Sequence, residues 1–234
     1  MMPSGTVYEL RRYRLQCGKR ETLIELFERE FIETQELTGM SVHGIYRDAD
    51  DPDAFVWFRS FPDMEHRARA LAAFYGGPVW ARWGADANAT MLNSDNVLLL
   101  QSVGKAVDFG RSAASGGVVT ISTCALAPGT AASFAKEWQK AVAPELLRSG
   151  ARIDAAFVTE ARANTFPRLP VREGETVFVW VSAFENEAEC ANHERLLAVS
   201  ATWQDQAFPW LDRQIWRPLE RVYLSPTSRS RHGW

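Results

Sequence analysis

Hydrophobic and polar positions alternate with two periods along the chain. Val7–Leu15 reads as a strand, and from Lys19 to about Thr38 apolar residues recur at three- and four-residue spacing, which predicts an amphipathic helix. Strands at 41–46, 55–61 and 97–100, a helix from Asp63 to Gly76 and a helical segment after Pro78 complete the order β-α-β-β-α-β. That order is typical of a ferredoxin-like unit.

The same order restarts at residue 118. Phe55-Val-Trp-Phe-Arg-Ser-Phe61 returns as Phe178-Val-Trp-Val-Ser-Ala-Phe184, a shift of 123 residues (178 − 55), and Trp80 finds Trp203 at the same shift. A strand and a downstream tryptophan repeated in register indicate duplication. We predict a first ferredoxin-like repeat at 6–100, a linker at 101–117, a second, divergent repeat at 118–225 and a flexible polar tail at 226–234.

Alternation along the strands predicts two faces for each sheet. In the second repeat the aliphatic row of Val177, Val179 and Val181 favours packing beneath the helices. By correspondence, the open face of the first repeat carries Glu9, Arg11, Tyr13, Phe55, Trp57, Arg59 and Phe61. Because exposed aromatics would form a large apolar patch, the two open faces are expected to cover each other. The predicted fold class is α+β, with tandem ferredoxin-like (βαββαβ) repeats closing into an α+β barrel.

Reactive groups concentrate on this predicted inner face. We assign proton handling to Glu9, Tyr13 and His43, the histidine lying on a neighbouring strand. Substrate binding is assigned to a second set, Arg11, Phe55, Trp57, Arg59 and Phe61. Simpler interpretations stay open: Glu9 and Arg11 as a buried ion pair that braces the fold, and His43 as a satisfied histidine of the wall.

Composition mainly excludes classes of function. A formal net charge of −3 gives no general attraction for nucleic acid or an anionic membrane. No apolar stretch reaches the roughly 18 residues that span a bilayer, and the N-terminus lacks a signal-peptide pattern, so we expect no membrane insertion and a cytoplasmic location. Cys17, Cys124 and Cys190 lack metal or disulfide spacing, and the acidic turn at 48–53 lacks the features of a calcium loop. No metal and no cofactor is expected.

Two motifs of the first repeat carry a family resemblance. Val7-Tyr-Glu-Leu-Arg-Arg-Tyr-Arg-Leu with Gly18-Lys19, and Val56-Trp-Phe-Arg-Ser-Phe-Pro-Asp-Met, are similar to the opening strand and turn and to the central strand and helix start of the NIPSNAP family, a branch of the dimeric α+β barrel proteins. The resemblance spans 6–100 and continues more faintly over 118–225, which keeps Pro128-Gly129 and Phe178-Val-Trp. Cys17 stands where the family usually has proline.

The resemblance implies a barrel whose relatives include cofactor-free monooxygenases, haem-degrading enzymes, polyketide cyclases and proteins with no known chemistry, so the fold alone assigns no activity. We expect a homodimer or higher homo-oligomer that binds a small, largely apolar or aromatic ligand in the barrel cavity, with cofactor-free oxygenation or cyclisation as the candidate reaction. The alternative is a non-catalytic homo-oligomeric adaptor with a filled barrel and with Trp83, Trp210 and Trp216 at its interface.

Overall fold

The computed structural model describes residues 5–104, 107, 109 and 116–231. The described residues divide into two compact units. Unit 1 takes 5–101, 160–173 and 227–231, and unit 2 takes the remainder. Part of the predicted linker and residues 232–234 of the predicted tail lie outside the described residues.

Unit 1 contains the elements predicted for the first repeat. In chain order they are β1 (Val7–Leu15), α1 (Arg20–Leu26), a π-helical turn (Phe27–Phe31), α2 (Ile32–Glu36), β2 (Ser41–Asp48), β3 (Ala54–Phe61), α3 (Met64–Tyr75), α4 (Pro78–Ala89), β4 (Met91–Asn93) and β5 (Val97–Ser102). The predicted single helix at 19–38 is thus continuous but contains a π-helical turn, and the short strand β4 was not predicted.

Unit 2 repeats the order of elements. It contains β6 (Val118–Leu126), α5 (Ala131–Ala141), α6 (Ala143–Arg148), β7 (Arg152–Thr159), β8 (Thr176–Phe184), α7 (Glu187–Val199), a π-helical turn (Trp203–Ala207), α8 (Phe208–Gln214) and β9 (Glu220–Pro226). The break between α5 and α6 lies two residues before Pro144, as expected from a residue that cannot donate a backbone hydrogen bond.

The strands pair in the same way in both units. In unit 1, β1 lies between β3 and β5, and β2 pairs with the other edge of β3. In unit 2, β6 lies between β8 and β9, and β7 pairs with β8. All these pairings are antiparallel, and each unit therefore has the sheet of a ferredoxin-like fold.

Corresponding N-caps start the helices that follow the central strands. The side chain of Asp63 accepts a hydrogen bond from the backbone N–H of His66 at 2.7 Å, and that of Asn186 accepts one from the backbone N–H of Glu189 at 3.0 Å. The two caps are 123 residues apart (186 − 63), the shift of the repeated strand. Each satisfies a donor that the first turn of a helix leaves unpaired.

Replacing Asn186 with alanine is expected to lower the free energy of unfolding by about 1 kcal/mol, because the N–H of Glu189 loses its acceptor. Urea denaturation at pH 7 measures the difference. Asn186→Asp is the matched control, since it keeps an oxygen at the same place and should stay close to the wild type. Equal stability of the alanine variant would show that the cap contributes nothing.

Segments distant in sequence complete unit 1. The backbone N–H of Glu160 donates to the carbonyl of Leu99 at 2.8 Å, and that of Arg172 donates to the carbonyl of Val97 at 2.9 Å, so the 160–173 segment lies along β5. Within 227–231, the N–H of Thr227 donates to Ile45 at 2.9 Å. These residues of the predicted tail are therefore held against β2 of unit 1.

The predicted assignment of the two sheet faces is wrong in both units. Tyr13, Phe55, Trp57 and Phe61 pack in one buried cluster with the helical Phe27 and other residues of the helices. In unit 2, Phe178, Trp180 and Phe184 pack in the same way with residues of α5, α7 and α8. The aromatic rows therefore lie beneath the helices, and the aliphatic rows occupy the opposite faces.

The error has a physical cause. Every residue of β3 is buried, and β8 is buried from Val177 to Phe184. When both faces of a strand are buried, alternation still separates two rows of side chains, but polarity no longer tells which row lies beneath the helices.

Among the residues that the structure describes, no helix is long and apolar enough to cross a membrane.

Candidate functional site

One buried carboxylate accepts hydrogen bonds from three arginines in unit 1. Glu9 Oε2 accepts from Arg11 Nη1 at 2.8 Å and from Arg59 Nε at 2.6 Å, and Glu9 Oε1 accepts from Arg67 Nε at 2.6 Å. We call these four residues the Glu9 cluster. All four are at most 1% exposed, so solvent screens none of the interactions.

Strand register and one helix bring the cluster together. Glu9 lies directly opposite Arg59 where β1 pairs with β3, and Arg11 follows Glu9 on the same face of β1. Arg67 reaches the carboxylate from α3, where it occupies the buried stripe with Leu71 and Phe74. The cluster therefore ties α3 to the two central strands of unit 1.

Neighbouring polar groups hold each arginine in turn. Arg11 Nε donates to the hydroxyl of Tyr13 at 2.7 Å. Arg59 Nη1 donates to Oε1 of Gln35, which is buried on α2, at 2.9 Å. Arg67 Nη1 donates to Asn164 Oδ1 at 2.9 Å, and this links the cluster to the 160–173 segment. The ion pair between Glu9 and Arg11, an interpretation that the sequence left open, is thus present as part of a larger network.

Electrostatics keeps Glu9 ionised. Burial alone would raise the pKa of its carboxyl, but the charges of Arg59, Arg11 and Arg67 outweigh that effect and hold the pKa well below its usual range. For Tyr13, burial dominates and raises the pKa despite the charge of Arg11 beside it. At neutral pH the carboxylate therefore holds no proton to give, and it is too weak a base to take one readily.

Aromatic rings enclose the cluster on the helix side. The ring of Trp57 lies 5.0 Å from the Cζ of Arg59 and 4.7 Å, centroid to centroid, from the ring of Phe27. Tyr13 packs at 6.0 Å from Phe55, and Phe61 lies 5.4 Å from the Cζ of Arg59. Most of the residues predicted for proton handling and substrate binding are therefore neighbours, but beneath the helices and not on the opposite face. Their functional roles stay predictions.

His43 is the predicted site residue that the structure places elsewhere. Its Nε2 lies 2.7 Å from Ser60 Oγ, and its ring lies 6.0 Å from that of Tyr8. Tyr8 and Ser60 are paired across β1 and β3, on the face opposite to Glu9 and Arg59. The histidine and the Glu9 carboxylate therefore lie on opposite faces of the sheet.

Sequence reasoning missed three members of the network, Arg67, Gln35 and Asn164. Arg67 is spaced three or four residues from its neighbours Met64 and Leu71 in the buried stripe of α3, which continues to Phe74. An arginine whose side chain faces water would lie on the other side of the helix. Gln35 follows Phe31 and Ile32 on the buried stripe of its helix in the same way. For Arg67 and Gln35, a polar residue within an apolar stripe was the available signal, because buried polar groups need partners.

An open pocket lies at the carboxyl end of β1, still within unit 1. Its volume is about 670 Å³. Apolar lining comes from Tyr13, Leu15 and Leu92, and polar lining includes Arg14 and Asn96. The exposed guanidinium of Arg14 forms no hydrogen bond or ion pair within the described part of the chain. The pocket therefore combines this accessible guanidinium with a second arginine, Arg12, which is paired with Asp48, and with Asp51 and Asp53. Its apolar part is the smaller share of the lining.

The three cysteines differ in exposure. Cys17 is exposed and lines this pocket, whereas Cys124 and Cys190 are buried in unit 2. Burial raises the pKa of Cys124 to about 12, and burial together with nearby Glu194 raises that of Cys190 to about 11. Since the thiolate is the reactive form, only Cys17 is expected to react readily.

We expect Ellman's reagent to titrate one thiol per native chain within minutes and three in 6 M guanidinium chloride, because the sequence holds three cysteines. Cys17→Ser should abolish the fast native reaction and leave two slow thiols. Rapid reaction of a second thiol in the native protein would show that the burial of Cys124 or Cys190 is transient.

Comparison with known proteins finds a family model that matches part of the chain. Residues 8–102 match the NIPSNAP family model. A NIPSNAP family protein from Agrobacterium tumefaciens is 21% identical; the match covers 42% of this chain and 87% of that one, with a TM-score of 0.38. The comparison with curated proteins gives no match.

Solved structures also resemble the chain over almost its whole length. An anthrone oxidase-like protein is 10% identical, covers 99% of this chain and 97% of its own, and has a TM-score of 0.62. A proposed monooxygenase from Fusobacterium nucleatum is 9% identical. The match covers 96% of this chain and 94% of that one, with a TM-score of 0.60. At these identities the likeness shows the fold alone. It confirms the predicted class, an α+β protein with an antiparallel α+β barrel.

Proposed function

We propose that this protein, whose residues 8–102 match the NIPSNAP family model, binds a small, largely apolar or aromatic molecule that carries one anionic group. The ligand would lie in the pocket at the end of β1. The observation that carries the proposal is the exposed guanidinium of Arg14, which has no hydrogen bond or ion pair among the described residues, beside the exposed apolar side chain of Leu92.

The dimensions and chemistry of the pocket support this choice. Its volume of about 670 Å³ falls within the range of roughly 300–1,000 Å³ that is usual for sites of small organic ligands. Such sites combine an apolar wall with a few polar groups that fix orientation. Arg14 would pair with a carboxylate or phenolate, and Asn96 at the rim would add an amide.

The Glu9 cluster would support this pocket from behind. Tyr13 belongs to both, since it is among the residues that line the pocket and its hydroxyl accepts from Arg11. A rigid network one residue away from Arg14 holds β1 in place, and preformed geometry reduces the entropy lost on binding. In this proposal Glu9 and Arg11 position the site and do not touch the ligand.

Fold likeness to an anthrone oxidase-like protein and a proposed monooxygenase favours oxidation of an electron-rich aromatic ligand by dioxygen as the reaction. Dioxygen uptake with anthrone as the probe tests this step separately from binding. If the protein binds the ligand but consumes no dioxygen, the proposal is reduced to a binding protein without this enzymatic activity.

We expect 2-naphthoate to raise the melting temperature of the wild type and 2-naphthylmethanol, which lacks the charge, to have a much smaller effect. Arg14→Gln should weaken naphthoate binding about tenfold or more by isothermal titration, because a hydrogen bond to a charged group contributes roughly 1.5–3 kcal/mol. Arg82→Gln is the control, since Arg82 lies against Trp83 on α4 and does not line the pocket.

The proposed site would be refuted if 2-naphthoate did not change the melting temperature of the wild type, or if Arg14→Gln bound it with the same affinity as the wild type. The alternative function, a non-catalytic homo-oligomeric adaptor, would then be favoured by the exposure of Trp216, which is 69%. Trp210, predicted for the same interface, stacks on Phe134 at 5.2 Å within unit 2. Sedimentation of a Trp216→Ala variant, in place of a Trp210 variant, is therefore the appropriate test of assembly.

A further inference from the structure

The charges of the Glu9 cluster do not balance. Three guanidinium groups carry three positive charges against one carboxylate, so that the four residues hold a net charge of +2 (3 − 1) at 0–1% exposure. No other carboxylate of the described residues forms an ion pair with Arg11, Arg59 or Arg67. An uncompensated charge in a protein interior is strongly unfavourable unless a counter-charge accompanies it.

The hydrogen-bond donors of the cluster are also in excess. Nη2 of Arg59, Nη2 of Arg67 and Nε1 of Trp57 are buried and have no hydrogen-bond partner in the part of the chain that the structure describes. The large majority of buried side-chain polar atoms in proteins have a hydrogen-bond partner. Three such donors around one network therefore point to a bound acceptor.

Guanidinium geometry directs two of these donors to one region. In arginine, Nε–H and an N–H of Nη2 lie on the same edge of the planar group. Since Nε of Arg59 donates to Oε2 of Glu9 and Nε of Arg67 donates to Oε1, each Nη2 lies on the edge of its guanidinium that faces the carboxylate. The ring of Trp57 lies 5.0 Å from the Cζ of Arg59 and 5.7 Å from that of Arg11, so the indole packs against the cluster.

We propose that the Glu9 cluster binds one small monovalent anion, a halide or a short carboxylate such as formate, between Nη2 of Arg59 and Nη2 of Arg67, with Nε1 of Trp57 as a third donor. The anion would supply the missing acceptor and halve the net charge. Complete burial of the four residues restricts the site to a small ion. This site is separate from the naphthoate pocket, because it lies beneath the helices and does not include Arg14.

The lowered pKa of Arg67 is consistent with the charge imbalance. Burial is the main cause of the shift, and the charges of Arg59 and Arg11 add to it, whereas Glu9 opposes it. A bound anion would also reach beyond the cluster. Arg67 Nη1 donates to Asn164 Oδ1, so that fixing the Arg67 guanidinium stabilises the 160–173 segment.

Thermal unfolding of the wild type tests the proposal directly. The protein is exchanged into sodium gluconate, whose anion is too large for the site, and titrated with sodium bromide or formate at constant ionic strength. Binding to the folded state should raise the melting temperature by roughly 5–10 °C at about 100 times the dissociation constant. An identical melting temperature in gluconate, bromide and formate would overturn the proposal.

Crystals soaked in sodium bromide give the location. An anomalous peak about 3.2–3.5 Å from both Nη2 atoms is expected, since an N–H to halide contact is slightly longer than the N–H to oxygen distance. A peak at that place without any effect on melting temperature would mean binding at crystal concentration only, and it would count against the proposal. A stabilising bromide bound elsewhere would do the same.

Trp57→Phe removes the indole donor and keeps an aromatic ring. It should reduce the bromide-induced rise in melting temperature to less than half of the wild-type value. Trp180→Phe is the matched control, because Trp180 occupies the corresponding position of the second repeat, is 1% exposed and lies in the other unit. Equal reductions in the two variants would show that the indole of Trp57 is not a ligand.

Discussion

Replacing Glu9 with glutamine is expected to lower the free energy of unfolding by about 3–5 kcal/mol. The side chain keeps its size, but three buried guanidinium groups lose the one carboxylate that they share among the described residues. Removing one partner of a buried ion network costs this much because the remaining charge stays without solvent. Urea denaturation followed by tryptophan fluorescence at pH 7 measures the loss.

An exposed carboxylate provides the control for this substitution. Glu21 also binds an arginine, with both carboxylate oxygens accepting from Arg47, but its side chain is 54% exposed. Glu21→Gln should therefore cost less than about 1 kcal/mol. Similar losses in the two variants would mean that the Glu9 cluster contributes no more than a surface pair.

A double variant separates charge from packing. Arg67→Met in the Glu9→Gln background removes one uncompensated charge and keeps the volume near α3. The combined loss should be smaller than the sum of the two single losses, because the second substitution relieves a repulsion that the first created. Additive losses would locate the energy in packing and not in charge.

The pH dependence follows from the direction of the pKa shift. The pKa of Glu9 is lower in the folded protein than the usual value of about 4.3 for an unfolded chain. The folded state therefore binds fewer protons, and the stability contributed by the carboxylate is complete above about pH 4.3 and declines as the pH falls below it. The difference between wild type and Glu9→Gln should accordingly shrink between pH 5 and pH 3.

The fold could be predicted from the sequence because its signals are local. The repeated strand around Trp57 and Trp180, the caps at Asp63 and Asn186 and the break before Pro144 each follow from a few neighbouring residues. Antiparallel order then follows from the βαββαβ pattern. None of these inferences needs a contact between distant residues.

The site was harder to predict because its contacts are distant. Glu9 and Arg11 could be placed together, since they are two residues apart on one strand. Arg67 lies 58 residues from Glu9, and Asn164 lies 97 residues from Arg67. An arginine in an amphipathic helix ordinarily faces water, so only its place in the apolar stripe distinguishes Arg67.

The face assignment failed for a related reason. Trp57 and Val56 are both almost fully buried, at 2% and 1% exposure, so that burial itself does not separate the rows to which they belong. What decides is which row touches Phe27 and Phe31, and those contacts depend on how the helices return over the sheet. The sequence of a strand does not show over which face of the sheet the helices pack.

Trp57 belongs to the aromatic row whose face was wrongly assigned, and it also packs against the Glu9 cluster. Its removal is the second change with a large expected effect. Trp57→Ala should lower the free energy of unfolding by about 3–5 kcal/mol, the usual range for deleting a buried tryptophan. The ring is 2% exposed, contacts Phe27 at 4.7 Å and lies over Arg11 and Arg59. Alanine would leave a cavity beneath the helices and would remove one of the two aromatic rings that lie against each of Arg11 and Arg59.

The same substitution at two other tryptophans tests the packing argument. Trp180→Ala should cost a similar amount, since Trp180 is 1% exposed and packs 5.6 Å from Trp138 beneath the helices of unit 2. Trp216→Ala should change the stability by less than about 0.5 kcal/mol, because 69% of Trp216 is exposed. Urea midpoints of the three variants give the order. If Trp57→Ala resembled Trp216→Ala, the aromatic row would not be packed beneath the helices, and the assignment of the Glu9 cluster to that layer would fail with it.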